Sequence, residues 1–292
     1  MSFLTYLQQL ALLIRLPNSF TVVSNVVAAY VIGTHGDIAI KPLSFLIIAA
    51  LCLYHGGIVL NDCMDVKEDR VNQPNRPLAS GAIKVGFAWM LVIYLLGFGV
   101  AITYTFGSNT FRLGVLLGLS IVAYNYAPRE GLLGCLIMGA CRGLNWLMVL
   151  AAVGALQEFA HYAAVVSVYV MSLTFLSRDE EYAKRPWLAW LSVAGMGLAA
   201  LIFLAKLDPN TPWLIPKIAV FCAAVGVVFY KLSVVIRNYS SAHLRGAVMF
   251  FVIGLIPLDA LLLLVSGYPI TAGSVVLLLI PSKFLARRLY VT

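Results

Sequence analysis

From Leu16 to the C-terminus the chain is a succession of apolar runs, broken only by short stretches that hold its Gly, Pro and charged residues. A helix needs about 20 mostly apolar residues to cross the hydrocarbon core of a bilayer. Read against that length and that punctuation, the runs predict ten membrane-spanning helices. They lie near residues 16–34, 42–61, 84–106, 111–127, 131–156, 160–176, 186–206, 212–236, 245–265 and 270–289. The expected fold class is an all-α polytopic membrane protein of nine to ten helices, the alternative count arising because Pro281 interrupts the last run. No stretch is left for a separate soluble domain, so residues 1–292 read as one transmembrane domain. The first run continues into a full span and no small-residue cleavage site follows a basic stretch, so no cleaved signal is expected.

The basic residues test the count. With ten spans, fifteen of the twenty Lys and Arg residues share the side of the N-terminus: Arg15; Lys67, Arg70, Arg76 and Lys84; Arg129; Arg178, Lys184 and Arg185; Lys231, Arg237 and Arg245; Lys283, Arg287 and Arg288. Only Lys41, Arg112, Lys206 and Lys217 fall on the other side, and Arg142 lies within a span. Cytoplasmic loops are enriched in Lys and Arg, so both termini are expected inside, at the inner cell membrane if the source is bacterial. A count of nine would move Lys283, Arg287 and Arg288 outside and weaken the asymmetry.

Composition agrees. A chain that is 62% hydrophobic and 11% charged lies outside the range of soluble globular domains. The net charge of +8 does not point to nucleic acid, because the basic residues sit singly or in pairs at helix ends with no basic face interleaved with aromatics. The five cysteines are scattered, mostly within apolar runs, and contain no Cys-x-x-Cys pair, so they read as small buried hydrophobes.

Against this apolar background seven of the twelve acidic residues fall in two clusters, Asp62, Asp65, Glu68 and Asp69, then Asp179, Glu180 and Glu181. With ten spans both clusters face the cytoplasm. In a helix, residues three and four apart share a face, so Asn61, Asp65 and Asp69 form a stripe that Asp62 can join. Hard oxygen donors of this kind suit Mg²⁺, which keeps several waters and shares its coordination with substrate phosphates. The pattern therefore points to a diphosphate at the membrane edge.

Asn61-Asp62-x-x-Asp65-x-x-x-Asp69 is followed by Pro74-Asn75-Arg76-Pro77-Leu78, by Tyr124 and Arg129 after the fourth span, and by a second acidic loop after the sixth. This combination resembles the UbiA superfamily of intramembrane prenyltransferases, whose core usually has nine spans. The resemblance implies a helical bundle around a central lipid-accessible cavity. There, Mg²⁺ would hold the diphosphate of an isoprenyl donor while the isoprenyl group passes to a lipophilic or amphipathic acceptor. Membrane lipid is the surrounding partner, and no nucleic acid is involved. By position in the matching motifs, Asp62, Asp65 and Asp69 are the expected catalytic residues. Asn61, Asp62, Asp65, Asp69, Asp179 and Glu181 are the expected metal residues. Asn18, Arg76, Arg129 and Arg178 are expected on the diphosphate.

The second motif departs from the family, which usually has two aspartates four residues apart. Here Ser177-Arg178-Asp179-Glu180-Glu181 puts Ser177 at the earlier position if Glu181 takes the later one, and this run looks like the EboC branch of UbiA-like proteins. A site that has lost a carboxylate leaves a rival function open, a non-catalytic isoprenoid or lipid carrier. A transporter is the other rival, with helices broken near the midplane and internal repeats. Gly56-Gly57 and Pro257 interrupt spans, but no repeat is found and the acids sit at the membrane edge. Among the remaining polar residues, His55 lies on the face of Asp62 and reads as a satisfied core histidine. Arg142 and Asp259 lie deep within spans, where ionisable groups are costly, and are expected to pair across the bundle. Phe20, Trp89, Trp146 and Trp213 can line a prenyl tunnel or anchor at the interfaces.

Overall fold

A computed structural model describes residues 3–128, 131–207 and 212–290, and among them the regular structure is entirely helical. The helices are α1 (Phe3–Leu13), α2 (Ser19–Gly33), α3 (Ile40–Asn72), α4 (Val85–Tyr104), α5 (Ser108–Tyr126), α6 (Leu133–Ala152) and α7 (Leu156–Ser177). They continue with α8 (Trp187–Leu204), α9 (Leu214–Arg237), α10 (Ser241–Ile253), α11 (Leu255–Val265), α12 (Pro269–Leu277) and α13 (Leu279–Tyr290), and a single 3₁₀ turn, Leu16–Asn18, leads into α2. Each of the ten predicted spans coincides with one helix or with one broken pair. Among the described residues nine of these segments are long and apolar enough to cross a membrane. The remaining one, α5, is 19 residues long and carries Asn109, Arg112, Ser120 and Asn125. It packs against α3, α4 and α6 and presents Asn125 to an internal cavity rather than to lipid.

The two broken spans have one cause. Proline lacks an N–H and its ring collides with the carbonyl four residues before it. Pro257 sets that collision at Ile253, the last residue of α10, and Pro281 sets it at Leu277, the last residue of α12. Near the first break the carbonyl of Phe251 accepts the buried Tyr169 hydroxyl at 2.9 Å. After its break α13 returns to the start of the chain. It packs on α1 and on the Leu16–Asn18 turn, where the Ser282 hydroxyl donates to the Pro17 carbonyl at 3.0 Å. The C-terminal helix therefore lies beside the start of the first span.

Burial is uneven. The first span, Leu16–Gly33, has 72% of its residues inside the bundle, against 17% for Leu214–Arg237 and 22% for Val85–Tyr104, so α2 is the axis and α4 and α9 face lipid. α2 touches α3, α6, α7, α11 and α13, and it carries buried Ser19, Thr21, Ser24 and Asn25 among its apolar residues. A polar axis persists in lipid because every one of its groups finds a partner inside the bundle. α3 is 33 residues long; at 1.5 Å per residue it spans about 50 Å, well beyond the roughly 30 Å hydrocarbon core. Its last turns, which carry Asp62 to Asp69, are the overhang.

Close packing of α6 on α7 depends on two glycines four residues apart, the spacing that lets membrane helices approach closely. A Cβ on Gly139 would stand 2.6 Å from the Ser167 carbonyl oxygen, and one on Gly143 would stand 3.0 Å from the Ser167 Cβ. Since the first obstacle is backbone, the helices must separate to admit a side chain. Gly139→Leu is expected to destabilise the protein by about 1–3 kcal/mol, read as a lowered Tm of the detergent-solubilised protein. An unchanged Tm would show that this contact does not hold the bundle together.

Candidate active site

The overhang of α3 is a ladder of acids against which two arginines from distant parts of the chain are fixed. Arg15 adopts a left-handed backbone (φ 49°, ψ 52°) where the chain reverses between α1 and the 3₁₀ turn, and its Nη2 donates to Asp62 Oδ1 at 3.3 Å. Arg76 comes from the loop after α3. Its Nη1 lies 2.8 Å from Asp69 Oδ2 and 3.8 Å from Asp62 Oδ1. Asp62 and Asp69, seven residues apart on one face, are both buried and converge on a single cationic nitrogen. Asp65 accepts instead from Asn61 Nδ2 at 3.1 Å. The expected stripe is thus sorted into an Asp62–Asp69 pair bridged by arginine and an Asn61–Asp65 pair beside it.

Below this rim lies a cavity of about 180 Å³, with Arg15 and Asn61 at its mouth and Tyr54, Tyr124, Asn125, Arg142 and Asn145 among its lining. The rest of its wall is apolar, from residues such as Leu53, Leu117 and Met138. Asn18 closes the 3₁₀ turn beside it, with its carbonyl accepting the Thr21 hydroxyl at 2.8 Å and its side chain in reach of Tyr54. His55 is satisfied, as expected. Its Nδ1 faces the Ile14 carbonyl at 3.0 Å and so carries the proton, which leaves Nε2, 3.2 Å from Ser19 Oγ, to accept from that hydroxyl. Arg129 lies outside the described residues.

The second acidic loop reaches the cavity through its base rather than its acids. Arg178 Cζ lies 5.9 Å from the centre of the Tyr124 ring, which lines the cavity. Asp179 points the other way and is buried. Its oxygens accept from the Lys184 amide at 3.1 Å, the Arg185 amide at 2.5 Å and the Tyr239 hydroxyl at 2.7 Å. Burial alone would raise its carboxyl, but the Tyr239 hydroxyl and the two amides outweigh it and hold the group below the usual 3.8. Glu181 is exposed, and its carbonyl accepts the Ser241 hydroxyl at 2.8 Å. Burial raises Glu180, with Arg245 working against the shift and Glu181 adding to it.

Whether the rim suits Mg²⁺ is a question of donor chemistry. Among the described residues no three His, Cys, Asp or Glu side chains already form a closed metal cage. Mg²⁺ does not need one, since it is commonly held by one or two carboxylates together with substrate phosphates and water. Asp62 Oδ1 and Asp69 Oδ2 already share one cation, the Arg76 guanidinium. The first motif therefore fits the ion.

Deeper in the bundle the expected pairing of Arg142 with Asp259 does not occur. Both residues dock onto α2 through neighbouring positions, one helical turn apart. Arg142 donates from Nη1 to the Thr21 carbonyl at 3.4 Å and from Nη2 to its hydroxyl at 3.3 Å. Asp259 accepts from Ser24 Oγ at 2.6 Å and Asn25 Nδ2 at 3.1 Å. Each charge is met instead by polar groups of α2, which apolar periodicity alone did not reveal. The aromatics are likewise decided by packing: Trp146 is fully buried in the core, Trp89 and Trp213 are 40% and 79% exposed, and none of these lines the cavity. Arg15, Tyr239, Asn25 and Asn145 were not singled out from sequence. Arg15 had the only usable signal, a basic residue two positions before Pro17 at the start of a span.

The chain belongs to the UbiA prenyltransferase family, whose sequence profile matches residues 22–290. It is 30% identical over 260 residues to a digeranylgeranylglyceryl phosphate synthase of Sulfolobus acidocaldarius, covering 86% of this chain and 83% of that protein. A protein of the same name from Sulfurisphaera tokodaii is 31% identical over 136 residues, but that match spans only about half of each, 46% of this chain and 48% of the relative. In fold the chain is similar to a solved digeranylgeranylglyceryl phosphate synthase (TM-score 0.67, 16% identity, 95% of this chain and 99% of that one). It is also similar to a UbiA homologue from Archaeoglobus fulgidus bound to GPP and Mg²⁺ (TM-score 0.63, 11% identity, 91% and 99%). The protein is accordingly an integral, multi-pass membrane protein.

The second loop yields a prediction. Tyr239→Phe removes a hydroxyl that donates to a carboxylate, a bond worth about 1.5–3 kcal/mol. A depressed carboxyl stabilises the fold above its unfolded pKa and loses that contribution as pH falls through its folded pKa. The variant should therefore unfold more easily than the parent at pH 7, with the gap closing below pH 3.8. Thermal unfolding across pH checks this, and a gap that persists in acid would assign the loss to packing.

Proposed function

We propose that this protein transfers an isoprenyl group from an isoprenyl diphosphate to a lipophilic or amphipathic acceptor within the membrane, with Mg²⁺ on the diphosphate. The observation that carries the reading is the charged rim, Asp62, Asp69, Arg15 and Arg76, standing over a mostly apolar cavity whose mouth includes Arg15 and Asn61. The name of two relatives, digeranylgeranylglyceryl phosphate synthase, and the GPP and Mg²⁺ bound by the Archaeoglobus homologue support it.

Departure of an allylic diphosphate builds negative charge on the leaving group, and fixed cations stabilise that charge best where water is scarce. Mg²⁺ bound between Asn61, Asp62, Asp65, Asp69 and the diphosphate would supply most of the counter-charge. The chain's own part is to hold Arg76, with Asn18, Arg178 and Arg129, against the phosphate oxygens, and to release Arg76 from Asp69 as the diphosphate docks. Tyr124 and the apolar wall keep water from the allylic carbon. In this reading Asp179 braces the second loop through Tyr239 and aims Arg178 at the cavity, and Glu181 is left as that loop's available metal carboxylate. On the distribution of Lys and Arg, both acidic clusters and both termini face the cytoplasm, in one transmembrane domain. The run Ser177–Glu181 is our ground for likening the chain to the EboC branch.

A second reading, a non-catalytic isoprenoid carrier, is favoured by one observation, the internal use of Asp179. Purified protein incubated with geranylgeranyl diphosphate and Mg²⁺ separates the two. An enzyme releases pyrophosphate and EDTA stops it, whereas a carrier retains the ligand intact. Asp65→Asn and Asp69→Asn should each lower Mg²⁺-dependent turnover by about 10²-fold or more while leaving the protein folded. Full activity in both variants removes the catalytic assignment.

A further inference from the structure

A second cavity lies towards the outside of the bundle, bordered by α7, α8, α9, α10, α11 and α13. It encloses about 450 Å³ and shares no lining residue with the cavity under the acidic rim. The Pro257 break opens onto it, since Ile253, Gly254 and Pro257 all line it. α9 and the last span both border it, each with only 17% of its residues inside the bundle, and the two do not pack substantially on each other. The crevice thus lies at the edge of the bundle, where lipid has access.

Its wall suits hydrocarbon. Tyr169 and Lys283 carry the only polar side chains among its described lining residues, and the Tyr169 hydroxyl already donates to the Phe251 carbonyl at 2.9 Å. Small side chains such as Ala199 and Ala224 give it depth, and the Phe203 and Phe221 rings, stacked with centroids 4.7 Å apart, close one end. From Phe221 to Phe229 along α9 it runs about 12 Å at 1.5 Å per residue. No carboxylate lines it, so a diphosphate would find none of the metal donors that the rim provides. The other end is cationic. Lys283 lines the crevice one turn beyond Leu279, and the Lys231 ammonium lies 5.7 Å from the centre of the ring of Phe250, itself a lining residue. Neither lysine forms an ion pair among the described residues, and Asp259 turns from the crevice to Ser24 and Asn25 on α2. This end lies on the side of the acidic rim, because Ser282, next to Lys283, bonds to Pro17, two residues from Arg15. Lysines so placed bury their stems along apolar surface and hold their ammonium groups at the membrane interface.

We propose that this crevice binds one anionic phospholipid of the surrounding bilayer, with its phosphate on Lys231 and Lys283 and one acyl chain along the apolar wall towards Phe203 and Phe221. The wall accepts the chain of any lipid, so the two lysines are the selecting groups, and the choice between an anionic and a zwitterionic head is electrostatic. The site is distinct from the one that carries the transferase reading and stands without it.

The test uses full-length protein in detergent, stripped of lipid and kept in EDTA. Native mass spectrometry counts the lipids retained per chain as phosphatidylglycerol, or phosphatidylcholine with the same acyl chains, is added. Phosphatidylglycerol should saturate at a single lipid and bind about tenfold or more tightly than phosphatidylcholine, from roughly fivefold per lysine near the membrane surface. Lys231→Gln combined with Lys283→Gln should erase that preference, and the corresponding pair of Arg substitutions should keep it. Ala224→Trp, which fills the crevice, should remove saturable binding. Binding that never saturates, equal retention of the two lipids, or a preference that survives the double Gln variant overturns the proposal. Loss of the preference in Lys206→Gln, just beyond the far end of α8, would seat the head at the opposite end and overturns it too. Should the double Gln variant fail to fold, the single variants decide, and an undiminished preference in both has the same force. Displacement of bound phosphatidylglycerol by geranylgeranyl diphosphate in EDTA would make the crevice a donor site and also sinks the proposal. Pyrophosphate release from the same preparations tests the transferase reading separately, and its absence leaves this lipid site standing.

Discussion

A carboxylate buried at the edge of a membrane bundle persists only if a fixed cation or a set of hydrogen-bond donors meets it, because a buried charge left uncompensated is costly. In this protein the constraint is satisfied at Asp62 and Asp69 by arginines that come from either side of the second span. Arg15 precedes the axis helix and Arg76 follows the acidic ladder, so the ion pairs tie both the start of the chain and the loop after α3 to that ladder. The rim of the cavity exists because those segments are tied. The same arrangement keeps two cations within a few ångströms of the acids, which is what a polyanionic ligand bridged by metal needs.

Polarity falls off in steps beneath that rim. Charged pairs give way to Arg142 and Tyr54, then to the amide chain of Asn145 and Asn25, and finally to Asp259, fully buried against α2. The last of these steps are joined by hydrogen bonds, Asn145 to Asn25 and Asn25 to Asp259, so the donor and acceptor directions of Asn145 in the cavity wall are set by a residue away from the cavity. The axis helix tolerates Ser19, Thr21, Ser24 and Asn25 because every one of them serves this chain or caps a neighbouring group.

The second loop is organised differently from the first. Its leading acid is turned inward onto two amides and Tyr239, from the turn between α9 and α10, so this carboxylate shapes the loop instead of facing the rim. Such bracing makes the position of Arg178 depend on α9 and α10, although α9 is among the spans least buried by the bundle. A substitution in that outer part of the molecule thereby acts at the cavity through one hydrogen bond.

Runs of apolar residues, and the prolines within two of them, determined the positions of the helices and their breaks, because length against the bilayer and the missing proline N–H are local physics. The helical spacing of Asn61, Asp62, Asp65 and Asp69 likewise placed the first cluster on one face, since α3 continues unbroken to Asn72. Pairing was another matter. That Asp62 shares a cation with Asp69 while Asp65 takes Asn61, that Asp179 faces Tyr239, and that Arg142 and Asp259 each bond to α2 rather than to each other were decided only by the tertiary structure. Sequence spacing fixes which side chains share a helix face, whereas the partner of a charged group depends on which helix packs beside that face, and helix neighbours are chosen by the whole bundle.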